Sequence, residues 1–285
     1  MKPPTLPIRH WLVAALLLPC SLNAQEAVRV NGSTTVNPVV TEAAEILKKE
    51  QGLKIQVDTQ GGSSGGITAL GDGRVDIAMS SRPLNDEDHK KYPHVKFLPT
   101  KIGEDAVALI VSKDVWDGGV KSLTREQVQN IYEKKVTNWK ELGGPDRRIA
   151  FLNKEPGRGT WEVFANWLYG KADKAPSVAH PEVGANEEAR NKVAGTRGAL
   201  SQLSASWADG KTVFALGIKG NDGKVTQPTA EHIVAHDYPL SRSLWVITNG
   251  PPSGNAKILI DFILSERGQE LVHKHGYLSL TDLKK

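Results

Sequence analysis

Gly61-Gly62-Ser63-Ser64-Gly65-Gly66 lies between a strand-like run, Leu53-Lys54-Ile55-Gln56-Val57, and a helix-like run, Ile67-Thr68-Ala69-Leu70. Glycine lets the backbone bend sharply and lets another group come close to its amides. The serines add O–H donors. Where such a turn opens a helix, unpaired N–H groups and the positive end of the helix dipole meet at one point. That is the chemistry of holding an anion. Asn31-Gly32-Ser33-Thr34-Thr35 repeats the arrangement after the strand-like Ala27-Val28-Arg29-Val30. Two such turns suggest one small oxyanion held mostly by neutral donors.

The same residues admit a second chemistry. Gly62-Ser63-Ser64-Gly65-Gly66 fits G-x-S-x-G, a nucleophile elbow that would make Ser64 a hydrolase serine. A hydrolase sheet normally places several strands before its elbow, and here two strand-like runs precede it. His232, His236, His273 and His275 stand in no motif that would complete a triad. His232 and His236 are spaced as on one helix face but lack the glutamate of H-E-x-x-H, so no metal is expected. No G-x-x-x-x-G-K-[ST] run is present, and no cofactor is expected.

The elements that must position these turns alternate. Val40, Ala43, Ala44 and Leu47 recur at helical spacing between Pro38 and the stop at Gly52. Val75-Asp76-Ile77-Ala78-Met79 reads as a buried strand ended by Ser80-Ser81-Arg82-Pro83. This β-α-β-α-β rhythm implies a largely parallel sheet with helices on both faces. Ligands of such sheets bind at the carboxyl ends of the strands, where all three polar turns fall. Ala106 to Val111 is a continuous apolar strand, and Thr124 with Gln127 marks a helix start. Ile149 to Leu152 leads through Asn153-Lys154-Glu155-Pro156-Gly157-Arg158-Gly159-Thr160 into a helix with Val163, Phe164, Trp167 and Leu168 on one face. Lys171 to Glu188 is polar and reads as loop; Val213 to Leu216 and Leu244 to Ile247 read as strands. The chain ends in helices, with Ser265 as a cap.

The chain has 285 residues, 39% hydrophobic and 24% charged, ordinary proportions for a globular protein. Lys2 and Arg9, the apolar Trp11 to Leu18, and Ser21-Leu22-Asn23-Ala24 have the layout of an export leader cut after Ala24. The apolar run is too short to span a membrane. Cys20, the single cysteine, falls inside this leader behind Pro19, where a lipoprotein site wants a small residue, so lipid anchoring is not expected. Removing Lys2 and Arg9 from the 36 bases leaves 34 against 32 acids, and no basic stripe points to nucleic acid.

Several segments resemble the phosphate-binding proteins that serve ABC importers, within the two-lobed periplasmic binding proteins. They are Gly32-Ser33-Thr34-Thr35, Gly62 to Gly66, Val75 to Arg82, and Gly157-Arg158-Gly159-Thr160 followed by Phe164. Tyr238-Pro239-Leu240-Ser241-Arg242, Ser265 to Gln269 and Gly276-Tyr277-Leu278 continue the likeness in order. The resemblance implies an α/β fold of type II: two lobes, each a mixed sheet flanked by helices, joined by two crossing strands near Val107–Val111 and Ser241–Ile247. Lobe 1 would be residues 26–111 plus 242–285, and lobe 2 residues 112–241. It implies a periplasmic, monomeric, non-enzymatic protein that passes inorganic phosphate to a membrane permease. Carried over residue by residue, Ser33, Thr34, Ser63, Ser64, Ser81, Arg158, Gly159 and Thr160 would contact the anion. Arg158 would supply the guanidinium fork from within the glycine turn. Asp76, Arg82 and Lys154 would stand behind them or add charge. Another tetrahedral anion (sulfate, molybdate or a phosphonate) and a sensing or adhesion role use the same donors and fold.

Overall fold

The computed structural model describes residues 27–284. The leader, its cut after Ala24, and Cys20 lie outside the described residues. Among the described residues no helix is long and apolar enough to cross a membrane.

The first part of the chain runs β1 (Val28–Gly32), α1 (Asn37–Gln51), β2 (Ile55–Asp58), α2 (Gly62–Gly71), β3 (Ile77–Ser80) and α3 (Asp86–Lys91). β1 pairs in parallel with β2 on one side and β3 on the other. Helical connections are what parallel neighbours require. α1 buries Val39, Val40, Ala43, Ala44 and Leu47 against the sheet and stops at Gly52, whose φ of 70° is the left-handed C-cap conformation. Each parallel strand therefore ends in a polar turn on the same edge: Ser33 after β1, Gly61-Gly62 after β2, and Ser81-Arg82 after β3.

β4 (Phe97–Ser112) is 16 residues long and takes part in three ladders. Residues 97–106 pair with β11 (Ser241–Asn249), which also pairs with β3. Residues 107–112 pair instead with β8 (Ala199–Ser204) and β9 (Val213–Lys219). The change of partner falls between Ala106 and Val107. There the returning chain lies alongside, with Val107 N donating to Leu240 O at 3.0 Å and Tyr238 Oη to Val107 O at 3.1 Å.

The intervening chain holds α4 (Lys113–Asp117), β5 (Ser122–Thr124), α5 (Arg125–Tyr132), β6 (Ala150–Lys154), α6 (Gly159–Tyr169), β7 (Glu182–Val183) and α7 (Asn186–Gly195). After β9 come β10 (Val225–Thr226) and α8 (Ala230–Val234); α9 (Gly254–Leu264) and α10 (Glu266–Lys274) follow β11. Thr124 and Gln127 form the expected reciprocal cap of α5, and Ser265 caps α10. One half thus has the mixed sheet β2-β1-β3-β11-β4 and the other a sheet in which β4 lies between β8 and β9, with β6 and β7 beyond β8. Each half has its own apolar core, around Leu47, Ile77 and Ile102 in the first and Leu109, Trp139 and Phe164 in the second.

Three sequence expectations are corrected. The Gly-Ser run is not a turn before a helix: α2 begins at Gly62, so Ser63 and Ser64 are in its first turn. Val75 and Asp76 precede β3, because Asp76 turns out to bind Arg29 at the sheet edge. Lys171 to Glu188 is not all loop; it contains β7 and the start of α7, whose apolar contribution is only Ala189 and Val193.

Gly66 sets how closely α2 can lie on β1. A Cβ there would come within 2.5 Å of Asn31 O and 2.7 Å of Gly32 Cα. Alanine in a helix interior is ordinarily better than glycine by about 1 kcal/mol. Gly66→Ala is expected to reverse that sign and lower the unfolding free energy by about 1–3 kcal/mol, the range for overfilled cores. Urea denaturation of the two proteins measures this; an unchanged or raised midpoint would contradict the close approach.

Candidate functional site

The three strand ends of the first half meet the start of α6 from the second. Ser33 Oγ accepts from Thr35 N at 3.2 Å and donates to Ser81 Oγ at 3.0 Å. Ser63 Oγ accepts from Ser81 N at 3.1 Å and lies 3.4 Å from Ser81 Oγ. Gly159 covers this pair: a Cβ there would sit 2.5 Å from Ser63 Oγ and 2.7 Å from Ser81 Oγ. Only glycine lets α6 come that close. Thr160, next along, adds a hydroxyl. α1, α2 and α6 all start here, and no side chain caps any of the three. Their dipoles therefore point positive ends into the cluster.

Arg242 ties the cluster together. It stands in β11 at a core position, between Leu240 and Leu244, which are fully buried. Its Nη1 donates to Thr160 Oγ1 at 2.9 Å and Ser81 Oγ at 3.3 Å, and its Nη2 to Thr35 Oγ1 at 3.2 Å. Its Nε and Nη2 hold Asp105 Oδ2 at 3.0 and 2.7 Å. The two side chains are 1% and 2% exposed, so the charges are desolvated and each depends on the other. Thr35 Oγ1 also accepts from Asn186 Nδ2 of α7 at 3.0 Å. With two donors pointing at it, the Thr35 oxygen has its own hydrogen left to give. Ser81 Oγ, accepting from Ser33 and Arg242, is in the same position. The arrangement offers O–H and N–H hydrogens to an acceptor-rich anion while its one inner carboxylate, Asp105, is occupied by Arg242 and Ser204.

The structure brings Ser33, Ser63, Ser81, Gly159 and Thr160 together as the sequence suggested. It places the others elsewhere. Thr34 turns toward a cleft between α1 and α7, and Thr35 takes the inward place. Ser64 Oγ donates to Glu162 Oε1 at 2.7 Å and accepts from Arg82 Nη2 at 3.0 Å. Arg82 is buried between Asp88 and Glu162, with Nε 2.7 Å from Glu162 Oε2. Burial pushes the Glu162 carboxyl up, partly offset by the charge of Arg82. Arg158 does not present a fork to the cluster: Glu155 takes its Nε and Nη2 at 2.9 and 2.7 Å, and Nη1 reaches Thr59 O at 3.4 Å. Asp76 pairs with Arg29. Lys154, 1% exposed, donates to Gly184 O at 2.7 Å.

Arg242, Thr35, Asp105 and Asn186 were not anticipated. An arginine at a core position of an alternating strand, in Leu240-Ser241-Arg242-Ser243-Leu244, is the sequence feature that marks it. Asp105, directly before the apolar run, is its required partner.

Several hydrogen bonds join the two halves besides those of Arg242. Ser64 N donates to Gly157 O at 3.1 Å, and Asn186 and Arg158 reach Thr35 and Thr59.

Burial, then the charges of Arg158 and Arg242, pull Lys154 down from 10.5 to about 7. Between those values the unfolded chain binds the proton that the folded one has lost, so folding stability rises with pH there. In phosphate-free buffer, urea unfolding between about pH 7 and pH 10 should show this gain in the wild type and lose it in Lys154→Met. Parallel pH profiles for the two would show that Lys154 is not depressed.

A family model for the PBP superfamily domain matches residues 21–267. The phosphate-binding protein PstS of Bacillus subtilis is 29% identical over 92% of this chain and 83% of its own length. PstS of Borreliella burgdorferi is 28% identical over 94% of this chain and 96% of its own. Among solved structures, one described as a phosphate ABC transporter substrate-binding protein with bound phosphate, from Clostridium perfringens, superposes with a TM-score of 0.78 at 32% identity. It covers 90% of this chain and 100% of that one. The two-lobed α/β fold with its mixed sheets, and a sequence that matches over nearly its whole length, lead to one assignment: this chain belongs to the PBP superfamily, among the substrate-binding proteins of phosphate ABC transporters.

Proposed function

We propose that the protein captures inorganic phosphate outside the cytoplasm and delivers it to the membrane permease of an ABC importer. One observation carries the reading: five hydroxyls, from Ser33, Thr35, Ser63, Ser81 and Thr160, converge with the buried Arg242 at three uncapped helix starts. The relatives named phosphate-binding, and the neighbour with phosphate bound, support the choice of anion. The leader-like residues 1–24 support export.

In this reading Ser33, Thr35, Ser63, Ser81, Gly159, Thr160 and Arg242 face the phosphate. Lys154 adds charge that a bound anion would stabilise. Arg82, Ser64 and Glu162 hold the two halves together beside it, and Arg158 stands at the rim. The halves act as lobes that divide at Ala106–Val107 and Leu240–Ser241, and they swing apart there to admit ligand. No covalent step is assigned. Ser64, the elbow candidate, is held by Glu162 and Arg82, and among the described residues no histidine is its partner. A nucleophilic serine of the familiar kind needs such a base.

Charge-assisted hydrogen bonds contribute about 1.5–3 kcal/mol each. Losing one by Ser81→Ala should weaken phosphate binding roughly 10- to 100-fold. Arg158→Ala, which removes a partly exposed ion pair at the rim, should change it less than about threefold. Calorimetric titration of the wild type and both variants with phosphate, sulfate and molybdate is the test. Equal losses for the two variants would move Arg158 back into the site. Absence of any phosphate heat at millimolar concentration would remove the reading altogether.

A further inference from the structure

The second half carries another cavity that the anion site does not use. It has a volume of about 410 Å3 and opens where β6 and β8 begin, lined by Ile149, Ala150, Phe151 and Arg197. Lys154 is at the opposite end of β6, about 13 Å away at the rise of a strand. The cavity is therefore separate from the hydroxyl cluster.

Its floor is apolar. Ile131 and Phe151 are core residues, and Val136, Ile149 and Pro181 complete the walls. The His180 ring stands edge-on to Phe151 at 4.9 Å and against Tyr132 at 5.3 Å, and its Nε2 meets Tyr132 O at 2.7 Å. Burial, and after the backbone bond the nearby Lys134 charge, leave this imidazole with a lowered pKa.

Its rim is cationic: Lys134, Arg147, Arg148 and Arg197. Asp114 is the carboxylate that Arg147 and Arg197 share. It lies 3.7 Å from Arg147 Nε and 3.9 Å from Arg197 Nε, while also accepting from Gly198 N and Ser112 Oγ. Arg148 and Lys134 pair with no carboxylate among the described residues. Lys134 also has a φ of 59° at the end of α5, a left-handed position that usually goes to glycine. A side chain there costs about 1–2 kcal/mol, and the lysine is carried regardless.

We propose that this cavity is a second binding site, for a small organic anion: a carboxylate or sulfonate on one or two fused apolar rings. The rings fill the floor over His180 and Phe151. The anionic group meets the rim, where arginine forks suit a planar carboxylate. The volume lies within the range of small-molecule pockets, and such pockets pair apolar walls with a few placed polar groups. Inorganic phosphate fits poorly, since an apolar floor gives a hydrated dianion nothing in exchange for its water. The proposal stands independently of the phosphate reading.

The probe is 2-naphthoate, titrated calorimetrically into the mature chain saturated with phosphate. Saturable binding with a Kd below about 1 mM is expected. Naphthalene-2-methanol, the same rings without charge, should bind at least about tenfold more weakly, as should 2-naphthoate to the double variant Arg148→Glu, Lys134→Glu. Both substitutions are at exposed positions, and phosphate affinity in the double variant should stay unchanged. No saturation at low millimolar 2-naphthoate, equal binding of the alcohol, unchanged binding to the double variant, or displacement of the probe by phosphate would each overturn the proposal.

Discussion

The guanidinium of Arg242 grips Asp105 with one edge and three hydroxyl-bearing side chains with the other, all shut away from water. A buried ion pair of this sort contributes little net stability, because desolvation offsets the attraction. What it fixes is geometry. Asp105 in β4 locks the planar fork, so Thr35, Ser81 and Thr160 are drawn to set positions around it. Those three come from three separate chain segments and from both halves of the fold. The pair also keeps the local charge near neutral, leaving directed donors in place of a bare cation. Neutral and dipolar donors held in position need no reorganisation when an anion arrives.

The helix starts add to the same field. α1, α2 and α6 begin at the cluster without side-chain caps, although Asn37 N, Gly62 N and Ser64 N already donate to the carbonyls of Ser33, Thr59 and Gly157. Glycine makes this possible at two places. Gly66 lets α2 lie directly on β1, and Gly159 lets α6 come down onto Ser63 and Ser81. Around this centre the polar contacts change character. Arg82, Glu162, Asp88 and Ser64 form a closed network at the seam, where each charge already has a partner. Their role is to join the halves.

Much of this was legible in the sequence, for reasons that can be stated. The polar turns could be placed on one sheet edge because parallel strands joined by helices all end on the same side. Which residues face the anion, Ser33, Ser63, Ser81, Gly159 and Thr160 among them, came from the resemblance to the phosphate-binding family, not from the strand pattern. Thr34 against Thr35 could not be decided, since the inward residue depends on how the chain enters α1. Arg158 looked like the anion's fork because it stands inside the glycine turn; that Glu155, three residues earlier, takes it is a local pairing that turn composition does not reveal. β8 was missed because Ala-Leu-Ser-Gln-Leu-Ser reads as half-exposed. It is wholly buried, with Ser201, Gln202 and Ser204 bonded to Leu152 O, Asn153 and Asp105 from the strands on either side. Arg242 was quoted only as part of a motif, although its alternation with Leu240 and Leu244 already pointed it inward.

β4 also bears on how the molecule can be taken apart. Its last six residues form the middle of the second sheet, with β8 on one side and β9 on the other, while the rest of the strand serves the first. A chain cut after residue 111 would strip the second half of its central rung, while residues 97–106 alone complete the pairing with β11 in the first. The two halves are therefore tied by one continuous strand, and a displacement of either sheet is felt along its whole length.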